Sequence, residues 1–287
     1  MTSETKNWFI TGSSRGFGLA LTRAVLEAGD RVVATARRPA DLESLVQEHG
    51  KNVLGLALDV TDAKAARTAI AEGVEAFGRL DVIVNNAGYA NSAPIEEMAE
   101  DDFRAQIETN LFGVVNVTRA ALPVLRGQRA GTFVQFSSVG GRVGGTPGMG
   151  AYQTAKFAVE GFSEVLANEV APFGINVMIV EPGAFRTDWQ GSSMLLHPVG
   201  PDYDQTVGEI NRYRDANNGT QPGDPVRGAG VIIEALRSGT PPRRLLLGAE
   251  AVAMTQRAED IRAAERVAWA AMSAQSDYPT GPALAPV

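Results

Sequence analysis

The stretch Trp8-Phe9-Ile10-Thr11-Gly12-Ser13-Ser14-Arg15-Gly16-Phe17-Gly18 carries a short apolar run into a three-glycine turn, and helical spacing (Leu19, Val25, Leu26) follows. Glycine suits such a turn. Without Cβ atoms the backbone bends sharply and comes close to a pyrophosphate, and the next helix aims its first amides and its dipole at the charge. The spacing, T-G-x-x-x-G-x-G, differs from the commoner G-x-G-x-x-G. Gly12, Gly16 and Gly18, with Ser14, Arg15 and Phe17 beside them, are therefore candidate dinucleotide-binding residues.

Six further apolar runs repeat the pattern: Arg31–Ala36, Val53–Leu58, Asp81–Val84, Gly131–Phe136, Ile175–Val180 and Arg244–Gly248, with helical spacing between them. Strands alternating with helices make βαβ units and hence a parallel sheet covered on both faces. The expected fold is α/β, a doubly wound seven-stranded Rossmann sheet in a single domain over residues 1–287. Ligands of such sheets sit beyond the C-terminal strand ends, where the glycine and polar clusters of this chain fall. Residues 184–225 are too long for an inert loop. They are read as a substrate-binding lid, against surface decoration, with a short helix expected over Asp202–Asn217. A late helix over Glu250–Ser273 leads into a tail, residues 274–287, expected to be mobile or packed on another subunit.

Composition narrows the function. Acidic residues exceed basic ones, 33 to 26, which disfavours a nucleic-acid partner or a polybasic membrane anchor. The chain has no cysteine and two histidines, His49 and His197, far apart in sequence. No disulfide, thiolate chemistry or metal site is therefore expected. His197 is read as a lid surface residue. No apolar run has the length of a membrane span, and the N-terminus lacks a basic-then-apolar leader, so the expected setting is cytoplasmic.

The second strand ends in Thr35-Ala36-Arg37-Arg38, with no acid to meet the adenosine ribose hydroxyl of NAD. Arginine forks match a 2′-phosphate, so Arg37 and Arg15 point to NADP. Arg38 has a second reading as a solvent-facing residue before a helix, and Asp41 reads as an early-helix acid. Asp59-Val60 suits an adenine, carboxylate to the amino group and Val against the ring. It stays open whether Asp59 or Thr61 instead caps the next helix.

Tyr152 and Lys156 are four residues apart and share a helix face. An ammonium beside a phenol lowers the phenol pKa from about 10, so the pair suits proton exchange during hydride transfer. Ser138, fourteen positions earlier, could orient a carbonyl oxygen or be a plain strand-end serine like Ser137. Asn110 is a poor helix former inside a helical stretch. It reads either as part of a proton path or as an exposed residue.

Taken together, T-G-S-S-R-G-F-G, L-D-V-T-D, N-N-A-G (Asn85 to Gly88), Asn110, Ser138, Y-Q-T-A-K and E-P-G-A-F-R-T (Glu181 to Thr187) resemble the short-chain dehydrogenase/reductase family, in its short single-domain branch, over roughly residues 6–250. The resemblance implies that Tyr152 is general acid or base, that Ser138 positions the carbonyl oxygen, and that Lys156 lowers the tyrosine pKa and bonds the nicotinamide ribose. It implies that Asn110 organises a relay water. Asn86, Ala87 and Gly88 would lie against adenine, and Pro182, Gly183, Phe185 and Thr187 would hold the nicotinamide end, with Thr187 on the carboxamide. It also implies a serine about 13 residues before the tyrosine. The extra residue here is assigned to the glycine-rich stretch near Thr146.

Apolar residues expected near the crevice are Tyr89, Val139, Val143, Met149, Phe185, Trp189, Met194 and Leu195, with Val139, Met149, Trp189 and Met194 as the substrate-binding set. The expected function is an NADP(H)-dependent carbonyl reductase acting on a hydrophobic ketone, aldehyde or secondary alcohol. An NAD-preferring alcohol dehydrogenase and a non-catalytic dinucleotide-binding regulator are the alternatives. The resemblance also implies a homodimer or homotetramer built on helices around 101–125 and 152–172.

Overall fold

The computed structural model describes residues 5–191 and 193–278; the last nine residues of the expected tail lie outside them. The chain runs β1 (Asn7–Thr11), α1 (Gly16–Glu27), β2 (Arg31–Ala36), α2 (Glu43–His49), β3 (Val53–Ala57), α3 (Ala63–Phe77), β4 (Val82–Asn85), β5 (Ala90–Ser92), α4 (Glu100–Ile107) and α5 (Gly113–Gln128). It continues through β6 (Gly131–Phe136), α6 (Gly150–Val170), β7 (Ile175–Pro182), β8 (Met194–Leu196), α7 (Glu209–Ala216), α8 (Pro225–Arg237), β9 (Arg244–Leu247) and α9 (Ala249–Ser273).

Seven strands form one parallel sheet in the order β3-β2-β1-β4-β6-β7-β9. All seven coincide with the apolar runs. The order reverses between β1 and β4, which opens the crevice where a ligand of this architecture sits. Successive residues of β1 serve opposite faces. Trp8 and Ile10 enter a core with Leu21 and Val25 of α1 and Ile232 of α8. Phe9 enters a second core with Ile70 of α3, Val117 of α5 and Leu166 of α6. Phe9 is fully buried, and truncating such a ring to alanine costs about 3–5 kcal/mol.

Helix ends follow local chemistry. Asp62 caps α3, its Oδ1 accepting from the amides of Lys64 (2.7 Å) and Ala65 (3.0 Å). Neither Asp59 nor Thr61 is the cap; the extended backbone at Asp62 places its carboxylate over the free amides. Asp224 caps α8 in the same way, with Pro225 in the first turn, where no amide is needed.

Residues 184–225 are not a bare loop. β8 pairs in parallel with β5 as a separate two-stranded sheet. A 3-10 turn over Pro201–Tyr203 and a π-helical turn over Asp204–Gly208 lead without a break into α7, so helical backbone spans nearly all of the stretch expected over Asp202–Asn217. Ser92 Oγ and Asn211 Oδ1, 2.7 Å apart and buried, fasten α7 to β5. Among the described residues no helix is long and apolar enough to cross a membrane.

Candidate active site

Gly12 and Gly16 have φ of +69° and +55°, a left-handed backbone that favours glycine. Gly18 is fixed by crowding. A Cβ there would lie 2.1 Å from the Gly12 carbonyl oxygen and 2.4 Å from Asn86 Nδ2. Asn86 in turn donates to the carbonyls of Thr11 (2.9 Å) and Gly12 (3.3 Å), and Thr11 Oγ1 accepts from the amides of Asn86 and Ala87, both at 2.9 Å. The N-N-A-G turn is thereby sewn to the glycine turn. Asn85 ties the same turn to the next strand through Gln135 Oε1 (2.8 Å).

A cavity of about 840 Å³ opens from this junction. Gly12, Ser14, Arg15, Gly16 and Phe17 line one wall, and Asn86, Ala87 and Gly88 line another. Arg37 and Arg38 lie at the end of β2, with Asp41 beside them. Arg38 is exposed and paired with Asp41, Nε to Oδ2 at 3.1 Å, so Asp41 serves as its counter-ion. Arg37 is exposed and has no ion-pair partner among the described residues. Asp59 and Val60 line the wall after β3; Asp59 Oδ1 accepts from the Thr61 amide (3.0 Å) and hydroxyl (2.7 Å).

The floor carries the titratable groups. Tyr152 and Lys156, both buried, share one face of α6, with Lys156 Nζ 5.7 Å from the centre of the Tyr152 ring. Lys156 Nζ donates to the Phe136 carbonyl at 2.7 Å. Ser138 lines the same cavity as Tyr152, and its Oγ accepts from the Gly140 amide at 3.1 Å. Burial pushes the Tyr152 phenol up to about 12, partly offset by Ser138. Burial pulls Lys156 down to about 8, against the charge of Glu160 one turn along the helix. In the ligand-free floor burial raises the phenol, while Lys156 Nζ is turned to the Phe136 carbonyl.

Asn110 sits fully buried in a π-helical turn, Glu108–Phe112. Both ends of its amide bond the Tyr89 backbone, Oδ1 accepting from the amide (3.2 Å) and Nδ2 donating to the carbonyl (2.8 Å). The reading of Asn110 as exposed is thus corrected, and its side chain braces the turn after Gly88. Gln106, which the sequence pattern does not mark, shares this work. Its Nε2 donates to the Tyr89 carbonyl at 2.7 Å and its Oε1 accepts from the Asn91 amide at 2.9 Å.

Pro182, Gly183, Phe185 and Thr187 close the far side. Phe185 packs on Phe17 with ring centres 5.1 Å apart, and Thr187 Oγ1 accepts from the Trp189 amide. Of the four expected substrate residues, only Trp189 lines the cavity, its ring 5.2 Å from that of Tyr152. Val139, Met149 and Met194 are buried, and the two methionines pack with Ala90 behind Tyr152. They support the tyrosine from below because side chains this apolar gain more by packing than by lining a wet cleft. Leu195 is half exposed. Ser137, Thr109, Asp188 and Ser193 line the cavity without having stood out in the sequence.

The short-chain dehydrogenase model matches residues 6–194. The chain belongs to the short-chain dehydrogenase family. This dehydrogenase is 49% identical over 273 residues to an oxidoreductase, BOA17, of Botryotinia fuckeliana, covering 95% of this chain and 99% of that one. A short-chain dehydrogenase structure from Streptomyces avermitilis superposes with a TM-score of 0.90 at 39% identity, covering 96% of this chain and all of that one. An alcohol dehydrogenase from Thermococcus sibiricus, complexed with 5-hydroxy-NADP, matches with a TM-score of 0.69 at 28% identity, covering 85% and 96% of the two chains. The chain is an oxidoreductase of this family, and its glycine turn fits a phosphate group: the backbone is left-handed at Gly12 and Gly16, and a Cβ at Gly18 would strike the Gly12 carbonyl.

Proposed function

We propose that the protein is an NADP-dependent carbonyl reductase that interconverts a hydrophobic ketone or aldehyde and its alcohol, with Tyr152 as general acid and base. The observation that carries this reading is the Tyr152–Ser138 pair, with Lys156 beside it, on the floor of a cavity that begins at the glycine turn. When bound, the dinucleotide supplies or accepts the hydride. Gly12, Ser14, Arg15, Gly16 and Phe17 hold its phosphates, Arg37 meets the 2′-phosphate, and Asp59 and Val60 take the adenine. Pro182, Gly183, Phe185 and Thr187 receive the nicotinamide end.

Ser138 donates to the carbonyl oxygen and fixes it beside the phenol. Tyr152 gives that oxygen its proton. Burial keeps the phenol protonated at neutral pH, the form that donates in reduction, and its phenolate takes the proton back in oxidation. Lys156, still largely cationic at neutral pH, stabilises the phenolate left behind. Asn110 keeps the Tyr89 turn in place so that the relay runs past its main chain. Trp189 and the rest of residues 184–225 act as the substrate lid, and its apolar wall selects hydrophobic carbonyls. Half-exposed Phe112, Phe157 and Val165 support a homodimer or homotetramer through the α4–α6 face. Calorimetric titration with NADPH and NADH, followed by a carbonyl and alcohol panel, tests the reading. Tight NADPH binding with ketone reduction supports it, and equal affinity for NADH overturns the cofactor assignment.

A further inference from the structure

Beneath the floor lies a charged assembly that neither the cradle nor the proton transfer uses. Glu181 of β7 has no exposed surface, and its carboxylate meets Arg142 Nη1 (3.3 Å) and Arg244 Nε (3.2 Å). Arg142 belongs to the turn that starts at Ser138, and it also pairs with Glu259 of α9. Arg262, one turn further along α9, donates to the backbone carbonyls of Arg142 (2.8 Å) and Val143 (2.7 Å). The turn itself is short. The Gly140 amide donates to Ser138 Oγ, the Gly141 amide to the Ser138 carbonyl (2.9 Å), and the Arg142 and Val143 amides to the Val139 carbonyl (3.1 and 2.8 Å). Gly141 is pressed against the Lys156 backbone, where a Cβ would lie 2.9 Å from its carbonyl carbon.

We propose that Arg262 and Glu259 of α9, acting through Arg142 and the 139–143 turn, are positioning residues that fix the Ser138 hydroxyl at the cavity floor it shares with Tyr152. Both lie beyond residues 6–194, which the family model matches, so the C-terminal helix supplies its own brace to a shared site. The contacts run in sequence: α9 grips the carbonyls of Arg142 and Val143, the turn between them closes on Ser138, and Ser138 lines the same cavity floor as Tyr152. Arg262 and Glu259 sit on the exposed part of α9, so the chain keeps its cores when either is changed. The inference rests on the redox reading only where turnover is the readout.

The test is a double-mutant cycle with hydrogen exchange as a second, activity-free arm. Arg262→Ala, Arg262→Lys and Glu259→Gln are made in the wild-type and Ser138→Ala backgrounds, and kcat and KM are measured on a ketone reduced by the wild type. Arg262→Ala is expected to lower kcat about tenfold with little change in dinucleotide KM, because misplaced reacting groups lose rate, not affinity. Arg262→Lys, which keeps one donor, recovers most of it. In the Ser138→Ala background the same change costs less than about twofold, the coupling expected of groups acting through one another. Amide exchange over residues 137–144 is expected to speed up in Arg262→Ala while α6 stays protected. Equal losses in both backgrounds, or unchanged exchange over 137–144, overturn the inference. If the wild type reduces no carbonyl, the redox reading fails and exchange alone decides the brace.

Discussion

Replacing Arg37 tests cofactor choice with a magnitude that follows from its surroundings. Arg37 stands at the cavity edge without an ion-pair partner among the described residues, whereas Arg38 is held by Asp41. Arg37→Ala therefore removes the guanidinium least occupied by the protein. A hydrogen bond to a charged group is worth about 1.5–3 kcal/mol, which corresponds to roughly tenfold to a hundredfold in Kd. NADPH binding to Arg37→Ala should weaken by that factor and the loss should shrink with added salt, since the site is exposed. NADH, without the 2′-phosphate, should bind within about twofold of its wild-type affinity. Asp41→Ala, which frees Arg38, should tighten NADPH and leave NADH alone. Calorimetry with both dinucleotides reads all of this. An equal loss for both, or no loss for NADPH, would refute the assignment of the 2′-phosphate to Arg37.

Three other outcomes follow. Gly18→Ala drives a methyl into the Gly12 carbonyl and displaces Asn86; the overpacking should cost about 1–3 kcal/mol, read as a lower Tm together with weaker NADPH binding, and an unchanged Tm would count against the stitched turn. The Tyr152 phenol, raised to about 12 by burial, should stay un-ionised up to strongly alkaline pH in the ligand-free protein, which the ultraviolet difference titration of wild type against Tyr152→Phe checks; a midpoint at or below the ordinary value of about 10 would contradict it. Burial and the neighbouring Glu160 raise Glu181 to about 7, against the pull of Arg142 and Arg244. The native state thus binds a proton more tightly than the unfolded chain between the ordinary carboxylate range and about 7. Stability from this group should therefore fall as pH rises through that window, by roughly 3 kcal/mol at most, and level off above it. Urea denaturation across that range should show the slope in the wild type and a flatter one in Glu181→Gln.

The parts of the molecule legible in its sequence are those where chemistry is local. Seven apolar runs become seven strands because a parallel sheet buried on both faces needs that composition. Gly12, Gly16 and Gly18 show themselves through what a Cβ would prevent, and Tyr152 and Lys156 through one helical turn. What the sequence hides is long-range. β5, Ala90-Asn91-Ser92, has no β-branched residue and finds its partner, Met194–Leu196, about a hundred positions away. Gln106 looks like any helix glutamine until the Tyr89 and Asn91 peptides arrive beside it. Met149 and Met194 pattern like cleft residues yet lie behind Tyr152, because apolarity alone does not distinguish a wall from its backing. The direction of the Tyr152 shift is of the same kind: four-residue spacing announces the ammonium, but only the packed floor reveals how much water is lost.

The most direct measurement of the redox reading is transfer of label from 4-deuterated NADPH to a hydrophobic ketone by the wild type and by Tyr152→Phe. The expected result is deuterium on the carbinol carbon of the wild-type product and a rate about a hundredfold to ten-thousandfold lower in the variant, the range of a lost general acid. Turnover without label in the product, or a Tyr152→Phe protein as fast as the wild type, would contradict it.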